Sequence, residues 1–127
     1  MTTQEAVMTT QEVADRFSQL AKENKFDAIQ DELFGDNAVS IEPPGAEAIG
    51  MYNVEGLDAI KKKGQDFNNA VEEMHGGWCS EPVVGGNFFS VSMGMDVTMK
   101  GAPRMNMDEI AVYEVKEGKI VKEQFFF

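Results

Sequence analysis

Apolar and polar residues alternate through the C-terminal part of the chain. Large apolar side chains occupy every second position over 87–100, and polar side chains fall between them. The alternation returns over 104–115 and 120–127. Because successive side chains of a strand point to opposite faces, this pattern predicts three consecutive strands. Residues 116–119 (Lys-Glu-Gly-Lys) predict a hairpin turn, with the glycine at a position that favours positive φ.

The N-terminal half has helical periodicity instead. Thr9 and Glu12 have the spacing of a capping box, and apolar residues at i, i+4, i+7 and i+8 follow from Val13. A second, shorter helix is predicted over 26–34, with Gly35 as its C-terminal cap.

The longest predicted helix spans 56–74 and ends at His75-Gly76-Gly77. Its apolar residues recur in steps of three and four, which places them on one face. We interpret the lysine run 61–63 beside this stripe as a solvated face. The stripe consists of Leu57, Ile60, Gly64, Phe67, Val71 and Met74.

Residues 38–42 predict a short strand that Pro43 ends, and 78–84 predict another strand before a Gly85-Gly86 turn. Helices that precede a run of strands indicate an α+β domain. We expect a curved antiparallel sheet wrapped around the long helix and two N-terminal helices, forming a cone with an internal pocket. One domain should cover 1–127, with 1–8 loosely ordered because Met-Thr-Thr-Gln-Glu occurs twice and the true start is Met1 or Met8.

Composition narrows the possible partners. The chain of 127 residues has a net charge of −11, which argues against nucleic acid and anionic membranes as partners. The single cysteine excludes an internal disulfide and fits a reducing, cytoplasmic location. One histidine and one cysteine do not make a metal ligand set, so we expect neither metal nor cofactor.

The order of elements and the segment 109–127 (EIAVYEVKEGKIVKEQFFF) resemble the nuclear transport factor 2-like superfamily, and most closely its SnoaL-like branch. The helix start at Gly56-Leu57-Asp58 is similar to a common pattern of this family. The resemblance implies the cone fold from about Thr9 to Phe127. It does not imply one activity, because the superfamily includes isomerases, cyclases, dehydratases, hydrolases and binding domains.

Two glutamates are candidate catalytic residues. Glu42 precedes Pro43 at a strand end, a setting that resembles the strand carrying the catalytic base of ketosteroid isomerase. Glu109 lies in phase with Met107 and Ala111 and should face the same interior. Burial would raise the pKa of at least one of these acids. The alternatives are a surface Glu42, and a strand-edge Glu109 that pairs with Lys100 or Arg104.

The sequence gives less direct indications of the roles of other polar residues. Asp96 and Asp108 have the outward parity. His75 is interpreted as a helix-end residue rather than a base, and Cys79 as a small buried residue rather than a nucleophile. The first helix lacks the tyrosine with which the isomerase stabilises an oxyanion, which argues against steroid isomerisation. The predicted ligand-binding residues are Phe17, Tyr52, Trp78, Met93, Met95, Met107, Gln124 and Phe125.

Three functions agree with these observations. The first is a protein that binds a small hydrophobic molecule in its pocket. The second is a cofactor-free isomerase, cyclase or dehydratase that uses a pocket carboxylate as general base. The third is a non-catalytic, dimeric interaction module. A homodimer is expected in each case, because Phe88, Ile110 and Val112 place apolar groups on the outer sheet face.

Overall fold

A computed structural model describes residues 7–127. The repeated start and most of the segment predicted to be loosely ordered lie outside these residues. Within them, no helix has the length and apolar character needed to cross a membrane.

Three α-helices precede most of the strands. The first begins with the predicted capping box, in which the Thr9 hydroxyl accepts from the Glu12 amide at 3.1 Å and the Glu12 carboxylate accepts from the Thr9 amide at 3.0 Å. A short 3-10 helix, Ala46–Ile49, interrupts the loop that follows the first strand. The α-helices are α1 (Thr10–Lys22), α2 (Phe26–Leu33) and α3 (Leu57–Ala70).

The strands form one curved sheet in the order β2-β1-β7-β6-β5-β3, with β4 paired to β5. All neighbours are antiparallel except β1 and β7, which are parallel. The α+β class is confirmed, and the sheet is mixed rather than wholly antiparallel. The strands are β1 (Phe34–Ile41), β2 (Val54–Glu55), β3 (Val71–Cys79), β4 (Val83–Gly85), β5 (Phe88–Met99), β6 (Arg104–Lys116) and β7 (Lys119–Phe126).

The core lies between the helices and the concave face of the sheet. The Phe17 ring of α1 contacts Phe89 and Tyr113, with ring centroids 5.3 Å and 4.8 Å away. Ile60 brings α3 into the same buried cluster. These residues form a packed core, and a cleft remains between α3 and the sheet.

Three predicted boundaries are wrong, and the first is that of the strand 78–84, which the structure divides between the end of β3 and β4. The 56–74 helix ends at Ala70 because β3 begins at Val71 and pairs with Met99 of β5. His75 therefore lies within β3 and does not cap a helix. Gly35 also lies in a strand, since α2 ends at Leu33 and Phe34 starts the pairing with Ile120.

Candidate functional site

Glu42 follows the last residue of β1 and is buried. Its residue exposure is 7% and that of its side chain is 2%. The Glu42 amide donates to the Asn53 side-chain oxygen at 2.7 Å, which fixes the backbone where the strand ends before Pro43. Among the described residues, Glu42 Oε2 is a buried side-chain oxygen without a hydrogen-bond partner. Glu42 is therefore not the surface glutamate of the alternative interpretation.

Lys63 extends from α3 towards Glu42, and its side chain is 8% exposed. Its ammonium donates to Glu42 Oε1 at 3.0 Å, to the Ser40 hydroxyl at 2.6 Å and to the Tyr52 carbonyl at 3.3 Å. It also lies 5.7 Å from the centroid of the Phe125 ring. The interpretation of residues 61–63 as a solvated face is wrong for Lys63 and holds only for its more exposed neighbours.

Ser40 connects this ion pair to a second buried acid. The Ser40 hydroxyl donates to Glu123 Oε1 at 2.9 Å, so one chain of hydrogen bonds joins Glu42, Lys63, Ser40 and Glu123. Burial raises the pKa of Glu123 to about 7, and the nearby charge of Glu42 acts in the same direction. The Ser40 hydrogen bond and Lys63 oppose part of this rise. Glu123 thus holds a proton far more readily than an exposed glutamate.

Glu109 lies on β6 and is half-buried. Burial raises its pKa to about 7, and the charges of Glu42 and Glu123 add to the rise while Lys63 opposes it. The raised pKa expected for one of the two predicted acids therefore falls on Glu109. Arg104 does not pair with Glu109, because its guanidinium binds both oxygens of Asp96 at 2.8 Å and 2.6 Å.

The acid cluster borders a cleft of about 1120 Å³ between α3, the α1–α2 connection and the sheet. Glu42, Lys63 and Glu123 line this cleft, whereas Glu109 is not among the lining residues. The apolar part of the lining is large enough for the body of a small molecule. It includes Ile60, Phe67, Met74, Trp78, Met95 and Phe125.

Of the predicted ligand-binding residues, Trp78, Met95 and Phe125 line the cleft. Trp78 lies at the β3 edge, where its indole occupies the space that a side chain at Gly94 would need. Met107 is half-buried opposite Met95 on the neighbouring strand.

Met107 and four other predicted ligand-binding residues lie outside the lining. Phe17 is 2% exposed and belongs to the core, and Met93 packs against that core. Tyr52 is 38% exposed, and its backbone carbonyl rather than its ring serves the site by accepting from Lys63. Gln124 pairs with Val112 on the outer face.

His75 and Cys79, whose roles the sequence predicts less firmly, also line the cleft. His75 contacts the Thr98 hydroxyl through Nε2 at 2.8 Å. Cys79 packs against the core, and burial raises the pKa of its thiol, which disfavours the nucleophilic thiolate. Across residues 7–127 the structure contains no group of three or more His, Cys, Asp or Glu arranged to hold a metal ion.

Sequence reasoning missed Lys63 and Glu123. Lys63 is three residues after the buried Ile60 and four before Phe67, so helical spacing places it on the inward face. The alternating pattern does not predict the inward orientation of Glu123, because β7 contains a bulge. Val115 pairs with Ile120, but Glu114 pairs with Lys122. The extra residue shifts the parity, and Glu123 and Phe125 turn inward where strict alternation would place Gln124.

This arrangement is typical of proton-transfer sites. A carboxylate held by an ammonium lies near two acids whose pKa of about 7 keeps a proton available at neutral pH. Carboxyl groups in unlike environments can divide the roles of base and acid between them.

The fold and the site define a cone-shaped α+β domain with an acid-lined cleft. The chain belongs to the family of SnoaL-like domains, whose model matches residues 8–127. The sequence has no significant match among curated proteins.

Solved structures share this fold. A Mesorhizobium loti protein, described both as a SnoaL-like polyketide cyclase and as a carbohydrate phosphatase, is 32% identical, with a TM-score of 0.87 over 94% of this chain and 100% of its own. A Jannaschia protein described as a SnoaL-like polyketide cyclase is 12% identical (TM-score 0.73, covering 98% of this chain and 90% of its own). A Catenulispora acidiphila protein with a ketosteroid isomerase-like fold, solved in complex with trimethylamine, is 17% identical (TM-score 0.68, covering 94% and 87%).

Proposed function

We propose that the cleft binds a small, largely apolar carbonyl compound and catalyses a proton transfer on it without a cofactor. The observation that carries this proposal is Glu42 Oε2, which has no hydrogen-bond partner among residues 7–127 and lies in the same buried network as the proton-holding Glu123. An unsatisfied buried carboxylate oxygen destabilises a fold, so its retention favours a role at a functional site.

In this proposal Glu42 is the general base. Its Oε2 takes a proton from the carbon next to the carbonyl group, and the electron pair of the C–H bond moves into an enolate. Glu123 in its acid form returns a proton to the enolate at a second position. The product is an isomer of the substrate, and transfer of a proton from Glu42 to Glu123 restores the site. Glu109 adds a second carboxyl with a pKa of about 7 beside the pair.

The same chemistry serves isomerisation, cyclisation and dehydration, which all begin with proton removal next to a carbonyl. The description of the Mesorhizobium loti protein as a polyketide cyclase agrees with a carbonyl substrate, but the same description also names a phosphatase. The proposal therefore rests on the carboxyl groups of this chain, and it specifies the reaction class rather than one substrate.

Deuterium exchange into a bicyclic ketone tests this function. With 2-tetralone in D2O, the wild-type protein should accelerate the loss of the α-proton NMR signal over buffer. Glu42→Gln should lose about 100-fold or more of this acceleration, a typical contribution of one general base. Glu72→Gln is the matched control, since Glu72 is exposed on β3.

Chemical-shift perturbation must first show that the ketone occupies the cleft. If a bound ketone exchanges no faster than in buffer, or if Glu42→Gln exchanges it as fast as the wild type, the site is a binding pocket without proton-transfer activity.

A further inference from the structure

The hydrogen-bond capacity of Lys63 is fully used inside the protein. An ammonium group has three hydrogens to donate. The three acceptors are Ser40 Oγ at 2.6 Å, Glu42 Oε1 at 3.0 Å and the Tyr52 carbonyl at 3.3 Å. No N–H of Lys63 is left for a ligand, although Lys63 lines the cleft.

Glu42, the carboxylate that Lys63 contacts, does not use its full hydrogen-bond capacity within the described residues. Glu42 Oε1 accepts from Lys63, but Oε2 has no donor among residues 7–127, and the Glu42 side chain is 2% exposed. The buried atom that lacks a partner at the Glu42 end of this network is thus an acceptor. A ligand that satisfies it has to supply a hydrogen-bond donor, because a buried acceptor without a partner destabilises the complex.

The surrounding charges exclude an anion from the same position. The negative charge of Glu42 raises the pKa of both Glu109 and Glu123, and the ammonium of Lys63 opposes the rise at both acids. A ligand carboxylate would add a further negative charge without finding a free donor of the lysine. Lys63 therefore cannot act as the anchor that a cleft lysine commonly provides for anions.

We propose that this site recognises its ligand through an uncharged O–H or N–H group directed at Glu42 Oε2, and that Lys63 is a positioning residue that never contacts the ligand. This proposal rests on the proposed function and names a ligand class for the same cleft: an O–H or N–H group of the ligand takes the place at Oε2 that the α-C–H of the substrate takes during proton transfer. Lys63 holds Oε1, and this leaves Oε2 free and fixed for the ligand's donor.

Binding of three bicyclic probes of nearly equal shape tests the proposal by NMR titration. Indole has an N–H donor, benzofuran has an ether oxygen in its place, and benzofuran-5-carboxylate adds a negative charge. The wild-type protein should bind indole about tenfold more tightly than benzofuran, and the carboxylate more weakly than benzofuran. Equal affinity for indole and benzofuran, or tightest binding of the carboxylate, would overturn the proposal.

Variants separate positioning from a general structural effect. Lys63→Met should reduce the preference for indole over benzofuran, whereas simple loosening of the cleft would weaken both probes equally and leave their ratio unchanged. The double variant Glu42→Leu/Lys63→Met replaces the pair by apolar side chains and should remove the preference while retaining benzofuran binding. A preserved preference in the double variant contradicts the proposal even if the single variant fails to fold.

The titration is independent of turnover. A donor preference without ketone exchange would support this ligand class and contradict the proton-transfer function. Ketone exchange without a donor preference would support the proton-transfer function and contradict this ligand class.

Discussion

The Lys63→Met substitution removes the positive charge of the buried cluster and leaves its acids in place. Glu42 would keep a carboxylate whose side chain is 2% exposed, and Ser40 and the Tyr52 carbonyl would each lose a donor. Removing one partner of a buried ion pair costs about 3–5 kcal/mol, because the remaining charge has lost both water and its counter-ion. We therefore expect the free energy of unfolding to fall by about 3–5 kcal/mol.

Urea denaturation at pH 7 measures this change, and the chain offers two controls. Lys62 lies next to Lys63 on α3 and forms an exposed pair with Asp66, with side-chain exposures of 71% and 48%. Lys62→Met should leave the free energy of unfolding almost unchanged, because exposed pairs contribute little. The double variant Glu42→Leu/Lys63→Met should recover most of the loss, because well-packed apolar replacements of a buried pair are often neutral.

A loss below about 1 kcal/mol for Lys63→Met, equal to that of Lys62→Met, would refute the reasoning. It would mean that Lys63 is solvated in solution and that the cluster around Glu42 is open to water. Failure of the double variant to recover stability would show that packing, rather than the isolated charge, accounts for the loss.

Three further predictions follow from burial and exposure. The pKa of Glu123 is raised from 4.5 to about 7, so the folded state holds this proton longer than the unfolded state and loses stability as pH rises across that interval. Glu123→Gln should remove this loss. Urea denaturation should therefore show that the variant gains up to about 3 kcal/mol over the wild type between pH 5 and pH 8. Ile60→Ala should lower the free energy of unfolding by about 2–5 kcal/mol and Phe67→Ala by less, because Ile60 is 1% exposed whereas Phe67 is half-buried at the cleft. Equal losses would contradict the assignment of Ile60 to the core and of Phe67 to the cleft. We also propose a homodimer through the outer sheet face, where Phe88 and Ile110 are each 48% exposed. Light scattering should show a dimer that Ile110→Asp dissociates, and a wild-type monomer at micromolar concentration would contradict this proposal.

The sequence predicts much of the fold because its signals are local. Period-two alternation locates β5 and β6, and the capping box at Thr9 marks the start of α1. Gly118 has φ of 76°, as the predicted hairpin requires. The end of α3 is not predicted because the apolar stripe continues through Val71 and Met74, and only pairing with β5 turns these residues into a strand.

The site is less predictable because it depends on contacts between distant residues. Glu42 is recognisable from the strand that ends at Pro43, but its partner Lys63 resembles any surface lysine until α3 packs over β1. Glu123 enters the site only through the bulge in β7, and a shift of one residue in register is invisible in an alternating pattern. The parallel pairing of β1 with β7 brings Ser40 beside Glu123, and this contact spans most of the chain.

Titration of the glutamate carboxyl carbons by NMR tests the central claim, that buried acids around Lys63 keep a proton available at neutral pH. The account predicts that Glu109 and Glu123 both titrate at about pH 7 in the wild-type protein. The exposed Glu72 is the internal reference. Titration of both buried acids near the ~4.3 of a free glutamate would contradict the account, because neither could then act as an acid at neutral pH.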